Sequence, residues 1–458
     1  MACTTGTENT AYGQRTLKSV TTGIQNTAVG GGALQNNTAS YNTAVGRDAL
    51  ITNTTGANNT AVGCDALNDN STGTRNTAIG AFCLDANTTG SYNTAVGYFA
   101  LTNNTTASYN TAVGDRALDS NVSGNRNTAV GYKALEDTGN GHDNTAVGYQ
   151  ALDDCASSGN TAVGSDALKL NTTGADNVAV GYSALDANTT GSNNTAVGKS
   201  ALSANTTGSR NTALGTSALL DNTTQSSNTA VGYRALRDVS TGYSNTAVGD
   251  DAGVSITSGY QNACFGIDAG ESISTGENNT CIGRTAGQDV TTGGNNLCLG
   301  NHAGKSASPS GSITTTSNLI VLGDNSPTAA YIKVDWTVTS DRRDKTDITP
   351  FNHGLSWINK LNPVTYRWDN RSDYADGIPD GSKKGAQLNV GLIAQDELEV
   401  EKEHGYGDTP ENMLVADINA DGNYGMQYSK LVPILINAVK ELSAENEALK
   451  ARLDAAGL

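Results

Sequence analysis

Large side chains, charge and proline are all scarce in the first 300 residues of this 458-residue chain. Aromatic residues make up only 5% of the whole sequence and charged residues 16%, and the first proline is Pro309. A conventional globular core of this length needs more large apolar side chains than these. Disorder is not favoured either, because the chain is neither highly charged nor poor in β-branched residues. Abundant Gly, Thr, Val and Asn instead predict a repetitive β structure.

Three further absences limit the expected partners and location. A net charge of −17 would be repelled by nucleic-acid backbones and by anionic membranes, so neither is an expected partner. No apolar run is long enough for membrane insertion, and the N-terminus MACTTGTENT has neither the basic nor the apolar region of a secretory signal. The seven cysteines are irregularly placed and odd in number, which argues against a disulfide framework. We therefore expect the chain to fold in a cytoplasm.

One motif, Asn-Thr-Ala-Val-Gly with small variations, recurs along the first 300 residues. Fifteen of the 17 steps between copies are 17 residues long, and the other two are 16. A unit this short has no room for a helix pair, whereas one or two short strands and their turns fit. The repeat therefore predicts a mainly β shaft over residues 1–300, a parallel β-solenoid whose coils pair with the coils above and below. The 18 copies begin at Asn9, Asn26, Asn42, Asn59, Asn76, Asn93, Asn110, Asn127, Asn144, Asn160, Asn177, Asn194, Asn211, Asn228, Asn245, Asn262, Asn279 and Asn296.

Two positions of the motif predict how the coils pack. The third residue is nearly always Ala, or Cys at Cys264, Cys281 and Cys298, and the fourth is a larger apolar residue. Neighbouring strand residues face opposite ways, so we expect the larger residue inside the coil and the smaller one against other chains. A coil this thin buries little apolar area alone. The interpretation is a homotrimer around a threefold axis, with the three cysteines filling small-residue positions.

The string N-T-A-V-G-x-x-A resembles the head repeat of trimeric autotransporter adhesins over about residues 9–300. That resemblance implies a left-handed parallel β-roll. The sequence contains no long coiled-coil stalk and no C-terminal membrane anchor of the kind such adhesins carry. A bacterial surface adhesin is therefore an alternative rather than the main hypothesis.

Composition changes beyond residue 300. All seven prolines and all three tryptophans lie there, and charged residues rise from 40 of 339 before Ser340 to 33 of 119 from Ser340 onward. Residues 301–339 are expected to form a connector with β-type segments at 318–323 and 331–339. Residues 340–458 are expected to form a small α+β domain. Its predicted elements are a short helix at 354–361, a strand at 364–368, a buried strand or helix start at 390–394, a hairpin around Asn419 and a long helix from Ser429.

The last helix carries apolar residues at heptad spacing. This pattern predicts a short coiled coil, in which a polar core residue, Asn446, would fix the register. A helix packed on its own domain is the alternative. One heptad position is taken by Val432, Val439, Asn446 and Leu453, and the other by Leu435, Leu442 and Leu449.

A second motif begins at Ser340. The string Ser340-Asp341-Arg-Arg343-Asp-Lys345-Thr-Asp-Ile348 is followed by Gly-Leu-Ile-Ala-Gln at 391–395 and Tyr-Ser-Lys-Leu at 428–431. The combination resembles the intramolecular chaperone auto-protease of phage endosialidase tailspikes, over about residues 335–458. That resemblance implies cleavage of the Thr339–Ser340 bond after a trimer has formed.

By the same resemblance, Ser340 is the nucleophile and Lys345 its base, and Asp341, Arg343 and Ile348 complete the motif. The Ser hydroxyl needs a base, and a free Lys, with a pKa near ~10.4, is protonated at neutral pH. Burial would depress that pKa, so the dyad is expected to act only in a folded, packed domain. In the alternative reading, Ser340 caps a turn and Lys345 is a surface charge.

These features predict a phage tail fibre, located in the virion and assembled in the bacterial host cytoplasm. Its expected partners are two sister chains, other tail proteins at the N-terminal end, and a glycan or protein receptor on the host surface. Its only enzymatic role would be single-turnover serine-peptidase self-cleavage, with no external substrate. A polysaccharide-degrading tailspike is an alternative. No cofactor or metal is expected, because the histidines are scattered and the string at 417–422 has Tyr428 where a calcium loop needs Glu.

Overall fold

A computed structural model describes residues 5–457 apart from 307, 325, 327–332, 334–337, 372–373, 375–376 and 420–421. The chain divides into two compact units, one of residues 1–299 with 317–320, the other of residues 300–316 with 321–458. The β-type segment predicted at 331–339 lies largely outside the described residues. None of the helices in the described part is both long and apolar enough to cross a membrane.

The first unit is a solenoid with one three-residue strand in each coil. A strand begins at the second residue of each of the 18 motif copies, and a nineteenth strand extends the same sheet. Neighbouring strands run parallel, with each residue opposite its equivalent one coil away. The predicted parallel solenoid is confirmed, and of the one or two strands for which the repeat has room, each coil forms one. The strands are β1 (Thr10–Tyr12), β2 (Thr27–Val29), β3 (Thr43–Val45), β4 (Thr60–Val62), β5 (Thr77–Ile79), β6 (Thr94–Val96), β7 (Thr111–Val113), β8 (Thr128–Val130), β9 (Thr145–Val147), β10 (Thr161–Val163), β11 (Val178–Val180), β12 (Thr195–Val197), β13 (Thr212–Leu214), β14 (Thr229–Val231), β15 (Thr246–Val248), β16 (Ala263–Phe265), β17 (Thr280–Ile282), β18 (Leu297–Leu299) and β19 (Ile320–Leu322).

The predicted orientation of these strands is wrong. The third motif residue is fully buried inside the coil from β2 to β18, as at Ala112 and Cys281. The fourth faces outward, with Val113 36% and Leu214 46% exposed. The reason is space, because the thin interior also holds a Leu and buried asparagines from the turns. The third residue is therefore small to fit its own coil, and not because a sister chain approaches it.

The interior Leu of each coil sits on an unusual backbone. Leu118 and Leu185 have φ of 57° and 55°, in the left-handed region. For a residue other than Gly this conformation costs about 1–2 kcal/mol. Full burial of the side chain contributes about 1.5–3 kcal/mol, which offsets that cost. The turn is thus held by its core contact and not by local preference.

Two rows of buried asparagines satisfy the polar backbone inside the solenoid. In the first row, Asn110 Oδ1 accepts the backbone N–H of Asn127 one coil later at 2.9 Å, and Asn110 Nδ2 donates to the Gly124 carbonyl at 2.8 Å. In the second row, Asn104 Nδ2 donates to Asn87 Oδ1 at 2.9 Å. Buried amides without partners are costly, and stacking identical residues supplies the partners. This is why Asn recurs at both positions.

The interior is rebuilt in the last coils of the shaft. Leu gives way to Gly at Gly270 and Gly287, while Cys264, Cys281 and Cys298 form a fully buried row in neighbouring strands. A Cβ added to Gly270 would lie 2.6 Å from Cys264 Sγ, so the thiol fills the space that Leu fills elsewhere. A hydrogen bond to Cys264, with burial, holds the pKa of the Cys281 thiol well above its usual range. The prediction that these cysteines fill small-residue positions is confirmed.

Replacing Gly30 by Ala is expected to lower the free energy of unfolding of the shaft by about 2–4 kcal/mol. Gly30 has φ +128°, and a Cβ there would lie 2.4 Å from the Gly46 carbonyl oxygen. A Cβ at the next residue, Gly31, would meet nothing within 4 Å, so Gly31→Ala is the matched control. Denaturant unfolding of both variants measures the difference. Equal losses would contradict the close stacking of these turns.

The described part of the second unit contains three α-helices and two antiparallel strand pairs around a core of Trp357, Val400, Val415, Leu431 and Ile434. The predicted short helix, hairpin around Asn419 and long helix are confirmed. The segment at 390–394 holds the end of one strand and the start of a helix, but Val390 is 76% exposed, so the expected burial is wrong there. The elements are α1 (Leu355–Ile358), β20 (Val364–Tyr366), β21 (Asn389–Gly391), α2 (Ala394–Glu403), β22 (Ala416–Ile418), β23 (Tyr424–Met426) and α3 (Leu431–Ala456).

Helix α3 has two apolar faces. One face packs on its own unit through Leu431, Ile434 and Ala438, which are buried. The other face, which we call the heptad face, is uncovered in a single chain. The coiled coil remains a prediction, which this uncovered face supports. Its apolar residues are Val432, Leu435, Val439, Leu442, Leu449 and Leu453, all between 41% and 66% exposed.

Candidate active site

A tight turn brings Ser340 and Lys345 together. Asp341 caps a three-residue 3₁₀ helix at Arg342–Asp344 by accepting the backbone N–H of Arg343 at 2.9 Å. The Arg343 guanidinium also donates from Nη2 to Asp341 Oδ2 at 2.6 Å, and it lowers the pKa of that carboxyl. The chain then reverses, and Lys345 Nζ donates to Ser340 Oγ at 2.5 Å. Asp341, and not Ser340, is the residue that caps the turn.

This Ser340–Lys345 pair is open to solvent. Ser340, Lys345 and the preceding Thr339 are all exposed in the single chain, and Ile348 is 54% exposed. A Lys amine acts as a base when its charged form is desolvated. The described residues of one chain supply the hydrogen bond of a Ser–Lys dyad without burying its amine. The arrangement can hold a proton-transfer pair in place, and it needs a covering surface to activate it.

Two buried acids of α2 were not singled out by the sequence. Glu401 is fully buried, and its Oε1 accepts the backbone N–H groups of Val415 and Ala416, both at 2.6 Å. Its Oε2 accepts the N–H of Leu414 at 2.8 Å. These three hydrogen bonds tie α2 to the strand β22 and to the residues just before it. The available signal was helical spacing, because Glu401 lies seven residues after the buried Ala394.

The second acid, Glu397, is only partly satisfied. Its Oε1 accepts the indole N–H of Trp357 at 2.8 Å. Its Oε2 is buried and has no hydrogen-bond partner among the described residues. Burial, together with the nearby Glu401 carboxylate, raises the pKa of Glu397 to about 7, although the Trp357 bond acts in the opposite direction. The Glu397 carboxyl therefore keeps its proton up to near neutral pH.

The second unit is expected to lose stability at alkaline pH, and Glu397→Gln is expected to prevent that loss. The folded unit binds the Glu397 proton more tightly than the unfolded chain, so stability is highest below about pH 4.5 and falls as the pH rises through about 7. Above pH 8 the variant should be more stable than wild type by about 2–3 kcal/mol. Thermal unfolding between pH 4 and 9 measures this, with Asp396→Asn, an exposed neighbour, as control. A wild-type curve as flat as that of Glu397→Gln would contradict the assignment.

The shaft also brings acids together, which the sequence analysis did not anticipate. Asp119, Glu136 and Asp153 occupy the same motif position in three successive coils. Burial, and then repulsion from Glu136, raises the pKa of Asp153 to about 6. Lys133 Nζ pairs with Glu136 at 2.7 Å. Pairs of carboxyl groups are the groups that hydrolyse glycosidic bonds.

The described residues offer no metal centre. No group of three or more His, Cys, Asp or Glu side chains among them is arranged to hold an ion. The stacked thiols at Cys264, Cys281 and Cys298 are buried within the shaft interior.

Comparison with known proteins assigns part of the second unit. Residues 340–406 match the family model for the chaperone of endosialidase. The match starts at Ser340 and extends through α1, β20, β21 and α2. No curated protein and no solved structure matches the chain. The similarity predicted from the Ser340 motif is thus confirmed over this segment.

Proposed function

We propose that this chain is a homotrimeric bacteriophage tail fibre whose C-terminal domain assists folding and is then released by self-cleavage. The observation that carries the proposal is the match of residues 340–406 to the chaperone of endosialidase, in a chain whose preceding unit is a 19-stranded parallel solenoid. The proposed parts are a shaft over 1–300, a connector over 301–339 and a chaperone domain over 340–458. The location is the virion, after assembly in the bacterial host.

Uncovered apolar surfaces on both units support the homotrimer. The heptad face of α3 leaves residues such as Val439 and Leu442 66% and 50% exposed. Apolar heptad residues are stabilised when two or more such helices supercoil and bury them. On the shaft, the fourth residue of every strand faces outward and is apolar. Association of copies would remove both surfaces from water.

Self-cleavage would follow association because the Ser340–Lys345 pair lacks only a cover. The 2.5 Å hydrogen bond already points the Lys345 amine at the Ser340 hydroxyl. Packing of further copies would desolvate the ammonium, so that it loses a proton to solvent and the neutral Lys345 amine can take the Ser340 hydroxyl proton. The Ser340 oxygen then attacks the Thr339 carbonyl carbon, and Lys345 returns that proton to the Ser340 nitrogen as the bond between Thr339 carbon and Ser340 nitrogen breaks. Hydrolysis of the resulting ester releases residues 340–458 from the shaft.

Host attachment is the proposed role of the remaining shaft. Exposed tyrosines lie along its turns, and Tyr132 and Tyr149 stack with ring centres 5.4 Å apart. Aromatic rings with a polar edge are suited to binding at a wet surface, such as a glycan or protein receptor. The N-terminal end would join other tail proteins. This attachment is part of the proposal because a tail fibre has to be joined to the rest of the virion.

The test is the size of the wild-type protein after expression. Light scattering on the purified protein is expected to give a trimer, and mass analysis a shaft chain ending at Thr339 with a separate 119-residue fragment. A stable monomer would refute the homotrimer. A trimer of uncut chains would refute self-cleavage and leave the fibre proposal standing.

A polysaccharide-degrading tailspike is the second candidate. It is favoured by the row of Asp119, Glu136 and Asp153, whose carboxyls lie in adjacent coils. Incubating the purified shaft with host capsule or lipopolysaccharide and measuring new reducing ends separates the two candidates. Depolymerisation that Glu136→Gln abolishes would favour the enzyme over a purely binding fibre.

A further inference from the structure

The solenoid has one long face without charge. We call it the outward strand face and define it as the second and fourth residues of β2–β18. None of the strands β1–β19 contains a charged residue, and the second motif residue is Thr in nearly every one. Ion pairs lie instead in the turns, such as Arg126 with Asp143 and Arg234 with Asp251. In a chain of net charge −17, copies repel one another least where this face meets another like it.

The outward strand face is large enough to hold copies together. Seventeen strands about 4.8 Å apart and about 10 Å wide give about 800 Å² per copy. Stable interfaces bury roughly 800 Å² on each partner. A partner that follows the face along its whole length must repeat at the same spacing, as a second copy of this chain does. The occupant that fits is therefore another copy, in line with the proposed homotrimer on which this inference rests.

This face is not uniform along its length. In β2–β15 the fourth residue is Val in 12 of 14 strands. In β16, β17 and β18 it becomes Phe265, Ile282 and Leu299, which are 38%, 40% and 43% exposed. Leu297 also replaces the usual Thr at the second position of β18. Ile79 and Leu214 are similarly exposed, at 42% and 46%, but each lies between coils that carry Val, so β16–β18 form the one run of consecutive large apolar residues within β2–β18.

The same three coils also have a different interior. Cys264, Cys281 and Cys298 replace Ala, and Gly replaces the core Leu from the preceding coil onward, at Gly253, Gly270, Gly287 and Gly304. A Cβ on Gly287 would lie 2.3 Å from Cys281 Sγ, so coils of this type cannot accept the Leu of the other coils without rearrangement. Coils in the middle of the shaft resemble one another so closely that sister chains could pair out of step. Coils 16–18, which carry β16–β18, are distinct enough to set the pairing.

We propose that sister chains first associate through the outward strand face of coils 16–18, and that pairing then spreads toward the N-terminus. Three successive coils with larger apolar side chains give this segment the strongest attraction of any three neighbouring coils within β2–β18, because hydrophobic stabilisation scales with buried area. Starting at a distinctive end also fixes the register before the near-identical coils meet, since register is weakly specified where strands are alike. Coils 16–18 are thus the place where association of the sister chains begins.

Cysteine cross-linking during assembly tests the order. In a background with Cys3 and Cys64 replaced by Ser, single outward cysteines are introduced as Ile282→Cys or, for the matched control, Val130→Cys. Refolding is started by dilution, and samples are oxidised briefly at intervals and run on non-reducing gels. Chains with Ile282→Cys are expected to reach half-maximal cross-linking at least threefold sooner than chains with Val130→Cys. Equal times, or the reverse order, would overturn the proposal.

A second measurement tests the strength of the contact. Phe265→Ser, Ile282→Ser and Leu299→Ser together should raise the protein concentration needed for half trimerisation at least 100-fold, because each change removes outward apolar area. The control, Val62→Ser with Val130→Ser and Val197→Ser, should change it less than 10-fold. Equal effects of the two triple variants would refute a special role for coils 16–18. A monomeric wild-type chain would instead refute the homotrimer itself, so the two failures are distinguishable.

Discussion

A chain carrying Ser340→Ala is expected to stay at full length under conditions in which the wild-type chain is cut between Thr339 and Ser340. The hydroxyl that Lys345 Nζ contacts at 2.5 Å is the only proposed nucleophile, so its loss removes the first chemical step. Removing a nucleophile of this kind slows a reaction by on the order of 10⁴-fold or more. Mass analysis at intervals after expression measures the remaining full-length fraction.

Variants at Lys345 distinguish its proposed role as a base from the effect of its positive charge. Lys345→Arg keeps a positive charge but cannot give up its proton near neutral pH, so it should block cleavage as completely as Lys345→Ala. Thr346→Ala changes the neighbouring exposed residue and is expected to leave cleavage unchanged. Cleavage by the Lys345→Arg chain at the wild-type rate would show that the amine is not the base. Trimer formation should survive all of these changes, because the processing residues are not part of the folded core.

Glu401→Gln is expected to destabilise the second unit by about 3 kcal/mol. The Glu401 carboxylate accepts three backbone N–H groups, at Leu414, Val415 and Ala416, and it is fully buried. A Gln side chain offers one acceptor oxygen and places an NH₂ group against a donor, which leaves buried N–H groups unpaired. Glu399→Gln is the matched control, because that side chain lies on the same helix, is exposed and pairs with Lys402.

The consequence of Glu401→Gln should reach the shaft if the second unit is a chaperone. Denaturant unfolding of the full chain measures the local loss, and light scattering measures the yield of trimers. A destabilised second unit with a normal trimer yield would argue that the shaft assembles without it. A Glu399→Gln chain as unstable as Glu401→Gln would show that the buried bonds are not the cause.

The repeat made most of the shaft predictable. An Asn-Thr-Ala-Val-Gly copy every 16 or 17 residues leaves space for one strand and its turns, and parallel pairing between equal coils follows from that regularity. The orientation of the strand was not predictable, because both faces of Thr-Ala-Val are uncharged. Whether Ala112 or Val113 lies inside depends on how much room Leu118 and the asparagine rows leave in the coil. That room is a property of the assembled coil.

The second unit shows the same limit. The predicted helices and hairpin are present because apolar spacing, proline and turn residues act locally. The burial of Glu397 and Glu401 was missed, since charged residues are almost never fully buried unless paired. Their partners, Trp357 and the backbone at 414–416, are distant in sequence. Only the packing of α2 against these groups buries the two side chains and supplies their hydrogen-bond partners.

By itself the sequence determined the solenoid, its coil length, the change of composition beyond residue 300 and the motif around Ser340. These features depend on the spacing and type of residues close together in the chain, so they can be predicted without knowing the tertiary contacts. The tertiary structure decided which residue of each strand faces outward. It also decided that cysteine thiols fill the space left by Gly270 and Gly287, and that the Ser340–Lys345 pair forms while still exposed. Those outcomes depend on space and on contacts between residues that lie far apart in the chain.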